Sequence, residues 1–487
     1  MTEPSSAPAP ARKLPFLPAI VLIAAIFACS IYANLSFVVT HKADYRYFPP
    51  FRPYVNVNAN RHLGGEYFNM AQSLRAGEGF AHPFDRPTGP TAWQPPALPL
   101  LLAGLLWVCD GNRDGVVAVV VFLQVYVLIG TGLLVLALVT QAQSASEGRS
   151  LAGASGLCRQ TTGRLRMAVV AAVFFAALLC DFRLCFQATH DYWLVLLLVD
   201  LLIAGLCWCR PLQRWRSAAG WGVFGGLCAL TSPIVAFAWG LLSLLLGFRQ
   251  RAWSQLALAL LVAGLTVTPW AVRNYRVFGR VIPSKSNLGY ELYQSQCLQP
   301  DGLIQAPTFS RHPYGAATEE RREYNRLGEV AFLDRKWAQF RQAVRDDPLD
   351  FIDRVAYRFL GATLWYVPFN RTEEAKRPWM LWVSRVTHPL PFLALLVLIF
   401  TALRQPLHRA QWAVMGVYFF FLMPYVGISY YERYAVPLLG AKVLLVIWAA
   451  ERLLSFLSRK RVASGRKGVS PPSPPAGKRR LAVPSSP

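Results

Sequence analysis

The chain has 487 residues, of which 54% are hydrophobic and 16% charged, and its mean hydropathy is +0.32. That balance excludes a water-soluble globular fold of this length, and repeated apolar runs of spanning length point to an all-α polytopic membrane protein. A formal charge of +24 would suggest nucleic acid in a soluble protein. Here the basic residues sit in loops between apolar runs, where they orient a chain in the bilayer, and no nucleic-acid-binding motif accompanies them.

Arg12 and Lys13 precede the first apolar run, 14–39. The run is too long for the core of a signal peptide and reads as an uncleaved first span after a short cytoplasmic N-terminus, 1–13. Residues 40–115 then form a long polar loop. Within it, "GGEYFNMAQSLRAGEGF" (64–80) places Tyr67, Met70, Ala71 and Leu74 on one face of a helix, with Asn69, Gln72, Ser73 and Arg75 opposite. Gly77 suits the helix C-terminus, and Glu66 falls in the first turn, where the helix dipole favours an acid. Pro87, Pro90, Pro95 and Pro96 forbid regular structure until "ALPLLLAGLLWVC" (97–109), a run too short to span and suited to lying on the membrane surface.

Further apolar runs lie at 116–140, 167–182, 191–209, 217–232, 233–248, 253–271, 389–403, 411–428 and 435–454, giving ten spans with the first. This count puts every short basic loop on the cytoplasmic side, among them those with Arg164 and Arg166, with Arg210, Arg214 and Arg216, with Arg249 and Arg251, and with Arg404 and Arg409. Both termini are then cytoplasmic, and 40–115 and 272–388 face outward. The second of these carries Val330, Leu333, Trp337, Phe340 and Val344 at helical spacing, followed by a second helix with Ile352, Val355, Ala356, Phe359 and Leu360. Together they read as a helical lid on the membrane surface. The chain ends in a basic, Pro/Ser-rich tail, 455–487, expected to be disordered and to touch lipid headgroups. The cysteines lie mostly inside apolar runs and form neither a disulfide nor a zinc pattern.

The acid Glu66 with Tyr67, Ala71, Leu74, Gly77, Gly79 and Phe80, then Pro90, Thr91, Ala92, Pro95, Pro96 and Pro99, resembles the first outer loop of the GT-C superfamily of membrane glycosyltransferases. The likeness is greatest to the bacterial branch similar to dolichyl-phosphate-mannose protein mannosyltransferases and aminoarabinose transferases. "PWAVRNYRVFGRVIP" (269–283) and "ERYAVPLL" (432–439) are similar to two later segments of that family, in the family's order. The chain departs from the pattern at Leu63, where the family commonly has its catalytic Asp.

The resemblance implies a GT-C-like bundle with outer juxtamembrane helices in a cell membrane. It implies transfer of a sugar from a polyprenyl-phosphate carrier to a lipid, glycan or protein acceptor on the extracytoplasmic face, without a cofactor. Such a reaction needs a base for the acceptor hydroxyl and cations for the leaving phosphate. Glu66 is the candidate base, with Asp44 in reserve. Arg273, Arg433 and, more weakly, Lys285 are the candidate phosphate ligands. Tyr67, Trp93, His190, Asp191 and Tyr431 are candidates to line the cavity, although a capping role suits Asp191 and a membrane-interface belt suits the aromatic residues. No clustering of ligand residues predicts a metal. Asp200, within a span, reads as a structural pairing. The rival readings are a transporter or flippase of lipid-linked substrates, and a non-catalytic relative that has lost its acid.

Overall fold

The computed structural model describes residues 16–40, 63–84, 86–147, 156–186 and 188–466. The reserve acid Asp44 lies outside them, as does the tail after 466; the first part of the tail expected to be disordered, 455–466, instead continues the last helix. In chain order the helices are α1 (Phe16–Thr40), α2 (Gly65–Arg75), α3 (Ala97–Val108), α4 (Arg113–Glu147), α5 (Gly156–Cys180), α6 (Phe182–Phe186) and α7 (Tyr192–Ala204), which runs on through a π-helical turn, Gly205–Cys209. Next come α8 (Trp215–Thr231), α9 (Pro233–Gln250), α10 (Trp253–Phe278), α11 (Leu288–Cys297), α12 (Ala306–Phe309), α13 (Glu319–Leu327), α14 (Glu329–Asp346) and α15 (Pro348–Thr363). The chain closes with α16 (Arg371–Ala375), α17 (Pro378–Thr387), α18 (Leu390–Ala402), α19 (Arg409–Gly427), a 3-10 segment Glu432–Leu438, and α20 (Leu439–Arg466). Among the described residues the β-type pairings are two isolated bridges, Ala81–Pro90 and Leu303–Tyr430.

Nine helical stretches among the described residues are long and apolar enough to cross a membrane. The chain is an all-α polytopic membrane protein.

Ten spans were expected from the sequence, and the difference lies in α8. It has 17 residues, about 25 Å at 1.5 Å per residue, short of a hydrocarbon core of about 30 Å. Its composition serves contact with other helices. A Cβ on Gly222 would come within 2.4 Å of the Ala259 carbonyl oxygen, and one on Gly226 within 2.4 Å of Thr266 Cβ, so α8 and α10 meet nearly backbone to backbone. Ser232 alone separates α8 from α9, and Pro233 opens α9 at a position where its missing N–H costs nothing.

Several buried polar groups inside the bundle are paired, although Asp200 Oδ1, Trp239 Nε1 and Trp448 Nε1 have no hydrogen-bond partner among the described residues. Thr131 on α4 donates to Asp200 on α7 at 2.6 Å, which is the structural pairing expected for Asp200. At the basic end of the bundle, Arg166 on α5 donates from Nε to Glu451 on α20 at 2.6 Å. Arg452 reaches the Gln405 carbonyl and the Gln411 side chain, each at 2.9 Å.

At the opposite end lie α2, α3 and α11–α16. Their organiser is Glu329, the first residue of α14. Its buried carboxylate accepts from Thr91 Oγ1 (2.5 Å), Ala92 N (2.8 Å), Ser286 Oγ (2.7 Å) and Tyr324 Oη (2.9 Å). Burial pushes its pKa up, and these donors oppose the rise. The network also turns α14. The buried face is Glu329, Phe332, Leu333 and Lys336, about one residue away from the expected stripe, because Glu329 takes these donors and Lys336 takes Glu320 and Glu323 at 2.6 and 2.8 Å. The apolar residue Trp337 stays on the exposed side.

A second pin holds the end of α19. Arg358 on α15 is fully buried and donates from Nε to the Val426 carbonyl at 2.7 Å. Ser295 on α11 donates to the Ile428 carbonyl at 2.6 Å, and Ile304 N donates to the Tyr430 carbonyl at 2.9 Å. Unsatisfied carbonyls at a helix C-terminus need such donors. The result fixes the segment that leads into 431–434.

The contact between α8 and α10 is directly testable. Gly222→Val or Gly226→Leu forces backbones apart and is expected to lower stability by about 1–3 kcal/mol. Gly220→Ala on the same helix meets nothing within 4 Å and is expected to be neutral or to gain up to about 1 kcal/mol from helix propensity. Thermal unfolding of the purified variants in one detergent measures the contrast.

Candidate functional site

Helix α2 starts where the expected helix does, with the glycines doing separate jobs. Gly64 has φ 67°, and Gly65 is the first helical residue. A Cβ on Gly65 would lie 2.1 Å from the Tyr314 hydroxyl, so only glycine lets Tyr314 pack there. At the far end Glu78 N bonds Ser73 O at 3.0 Å and Gly77 N bonds Leu74 O at 3.1 Å, with Gly77 at φ 79°, which is a Schellman stop. The buried face includes Phe68 and Ser73 beside Tyr67, Met70 and Ala71. Ser73 therefore departs from the polar face read from the sequence.

Glu66 opens into a cavity of about 730 Å³ between the bundle and the loop-rich end. One wall carries Glu66 and Tyr67 from α2 with Trp93, Gln94 and Pro95. Another carries His190 and Asp191 ahead of α7, and a third the α8–α9 turn with Ser232, Ile234 and Phe237. Lys285 and Glu291 come from the segment into α11, Phe309 and His312 from α12 and beyond, and Met423–Ile428, Tyr431, Arg433 and Tyr434 from the end of α19 and the 3-10 segment. Glu66, Tyr67, Trp93, His190, Asp191, Lys285, Tyr431 and Arg433, scattered over the sequence, thus share one cavity.

Arg273 does not join them. Its guanidinium donates to the Phe80 carbonyl at 2.7 Å and the Thr91 carbonyl at 2.8 Å, and it lies 5.1 Å from the Trp270 ring centroid. Its expected phosphate role is corrected to one of holding the 80–91 loop. Arginine near a helix end was equally consistent with both roles in the sequence, and its hydrogen bonds to the Phe80 and Thr91 carbonyls decide between them. Leu63, at the family's usual Asp position, is buried in the hydrophobic core at 1% exposure.

The side chains around Glu66 form a connected series. Tyr67 Oη lies 3.0 Å from Gln94 Oε1 and 3.2 Å from Asp191 Oδ2, and Gln94 Nε2 donates to Glu66 Oε2 at 3.0 Å. Asp191 stands at the N-cap position of α7 but makes no capping hydrogen bond with its side chain. The expected capping role is thus replaced by a contact with Tyr67. His312 Nε2 stands 3.6 Å from Glu66 Oε1. Burial drives the His312 pKa down to about 3, so the imidazole is neutral and the pair is not an ion pair.

The pKa of Glu66 is raised to about 7. Burial is the main cause; the Gln94 hydrogen bond and Arg433 oppose it, while Glu291 and Asp191 add to it. Glu291 is itself satisfied by Gln294 Nε2 at 2.6 Å and Ser429 Oγ at 3.0 Å. Arg433 differs. Among the described residues no ion pair or hydrogen bond holds its guanidinium, which lies 5.2 Å from the Tyr431 ring centroid. The cavity thus pairs a carboxyl that titrates near neutrality with a free planar cation, two groups suited to proton transfer and oxyanion binding.

Among the described residues of these loops the aromatic side chains divide: those at the cavity are buried, whereas Trp365, Trp379 and Trp382 are exposed. Trp93 and Tyr290 are each 1% exposed and belong to one cluster with Phe84, Tyr324, Phe332 and Leu333. Gln94, Glu291 and His312 escaped the sequence reading. Gln94 stood in the recognised Pro-rich motif beside Trp93, whereas "SRHPYG" around His312 shows neither helical periodicity nor ligand spacing. Among the described residues no group of three or more His, Cys, Asp and Glu is placed to hold a metal ion.

Comparison with known proteins gives no match to a family model, to a curated protein or to a solved structure.

The raised pKa of Glu66 makes a stability prediction. Between about pH 4.5 and 7 the folded protein holds a proton on Glu66 that the unfolded chain has released, so folding stability falls as pH rises through that window. Glu66→Gln removes the penalty. It is expected to match the native protein near pH 4.5 and to exceed it by about 2–3 kcal/mol at pH 8. Thermal unfolding at the two pH values reads the difference.

Proposed function

We propose that the protein is a membrane glycosyltransferase of GT-C type, moving a sugar from a polyprenyl-phosphate carrier to a hydroxyl acceptor on the extracytoplasmic side. The observation that carries the reading is the convergence of Glu66 and the unpaired Arg433 on one cavity at the end of a membrane bundle. The chemistry needs a base and a phosphate cation within reach of one substrate, and the motifs quoted above place both residues in segments similar to that family.

In this reading Glu66 takes the proton from the acceptor hydroxyl as the acceptor oxygen bonds to the sugar's anomeric carbon. The bond from that carbon to the carrier phosphate breaks, and the phosphate leaves with the electron pair. Arg433, with Lys285 on the opposing segment, holds the released charge. The proton on Glu66 then passes to water. Gln94 keeps the Oε2 side of the carboxylate oriented throughout, since its amide donates there. Ile234, Phe237, Met423 and Ile428 give the cavity an apolar side toward α9 and α19, where a polyprenyl chain can pass into the bilayer. In this reading its location is a cell membrane with both termini cytoplasmic, which requires the 17-residue α8 to cross as a short tenth span.

The rival of a transporter predicts polar groups at the membrane midplane and internal repeats. Asp200, the acid flagged within a span, is occupied by Thr131, and the ionisable groups concentrate in the cavity. The reading of a relative that lost its acid rests on Leu63; in the proposed reading Glu66, three residues on and in the first turn of α2, takes over the role of that acid.

The decisive assay uses the purified protein in nanodiscs with a polyprenyl-phosphate sugar and an alcohol acceptor. Glu66→Gln is expected to reduce transfer by at least about 100-fold while the protein remains folded. Transfer at the native rate in that variant contradicts the assignment. Arg433→Ala is expected to weaken donor use by about 10–100-fold, as loss of a charged hydrogen-bond partner does. Unchanged donor affinity removes Arg433 from the phosphate site.

A further inference from the structure

His312 is a buried imidazole that the proposed reaction leaves without a task. Four rings enclose it: Tyr290 at 5.3 Å between centroids, Phe84 and Phe309 each at 5.8 Å, and Trp93 at 6.0 Å. One ring nitrogen has a fixed partner. The backbone N of Tyr314 lies 3.2 Å from His312 Nδ1. The Tyr314 amide nitrogen carries a hydrogen and donates it, so Nδ1 must accept, and in a neutral ring the proton then resides on Nε2. That nitrogen is the one facing Glu66 Oε1 at 3.6 Å, while Gln94 occupies Oε2.

We infer that His312 is a positioning residue for Glu66, locked by the Tyr314 backbone as an Nε2–H donor that steadies the Oε1 side of the carboxylate and cannot take its proton. The 3.6 Å separation closes to hydrogen-bond distance with a small side-chain rotation, as catalytic contacts do once substrate binds. Nε2 is already protonated, and protonating Nδ1 would set two N–H groups against each other. His312 is therefore neither a second base nor a relay. It works with Gln94, each donating to one oxygen of the same carboxylate. The other charged or titratable groups facing Glu66 are Tyr67 on its own helix, Asp191 ahead of α7, Tyr290 and Glu291 on α11, Tyr431 just before the 3-10 segment and Arg433 within it.

The inference rests on the proposed role of Glu66 for its meaning, and its test is independent of sugar transfer. The carboxyl stretch of Glu66 is followed by infrared difference spectroscopy on the full-length protein in nanodiscs, without donor, and assigned by its loss in Glu66→Gln. His312→Asn keeps an acceptor for Tyr314 N but is too short to donate to Glu66. His312→Gln keeps a donor within reach. The titration midpoint is expected near pH 7 in the native protein, about a unit higher in His312→Asn, and close to native in His312→Gln, because a lost donor disfavours the charged carboxylate. A midpoint unmoved in His312→Asn, or moved equally in both variants, overturns the inference. Should His312→Asn fail to fold, His312→Phe, which preserves the aromatic enclosure, carries the same expectation. A shifted midpoint in a protein that transfers no sugar would leave the positioning intact and remove the proposed reaction.

Discussion

The buried carboxylate of Glu329 is the constraint on which the cavity depends. A charge taken from water costs several kcal/mol unless it is answered by donors, and an isolated one would stay unfolded or neutral. Here the donors come from the first loop (Thr91 and Ala92), the segment after α10 (Ser286) and α13 (Tyr324). They can answer it only if those segments are brought to one point. Arg273 grips the same loop from α10 through Phe80 and Thr91. Directly after these pinned residues come Trp93 and Gln94, the wall of the cavity that touches Glu66. Arg358 does comparable work across the cavity, where it holds the last carbonyls of α19 ahead of Arg433. The bundle supplies an apolar scaffold, and a few desolvated charges set the geometry at its end.

This division explains what the amino-acid order made legible. Spans announce themselves by length and apolarity, so nine of the ten expected runs appear near their expected places, and 217–232 falls short because its helix has 17 residues. Helix α2 was readable because its stripe and its Gly77 stop are local signals. The cavity was readable where a motif marks it, as at Glu66, Trp93 and Arg433. It was not readable where the residue's partner lies far along the chain. Arg273 and Arg433 look alike in sequence, both arginines beside aromatic residues at a span end. Only the carbonyls of Phe80 and Thr91, some 180–190 positions away, tell the holding residue from the free one. His312 and Glu329 carry no local pattern at all, and their burial is a property of the assembled loops.

The same burial that readies Glu66 also costs stability. A base that works near neutral pH must hold its proton more tightly than an exposed carboxylate, and burial, helped by the neighbouring acids Glu291 and Asp191, produces that shift in Glu66. Sites of this kind are where a chain tolerates local cost. The guanidinium of Arg433 belongs to the same description, since a cation in a cavity with no hydrogen bond or ion pair among the described residues is a place for an anion. In the proposed reaction the two groups act on opposite ends of one transferred sugar, the base at the acceptor and the cation at the leaving phosphate.

The most direct measurement of the central claim is where a polyprenyl phosphate sits. A photoactivatable polyprenyl phosphate, cross-linked to the full-length protein in nanodiscs and mapped by mass spectrometry, is predicted to label the peptides holding Ile234–Phe237 and Met423–Arg433, and to be displaced by unlabelled carrier. Labelling spread over the lipid-facing surfaces of α1 and α10, with none at those two segments and no displacement, would contradict it.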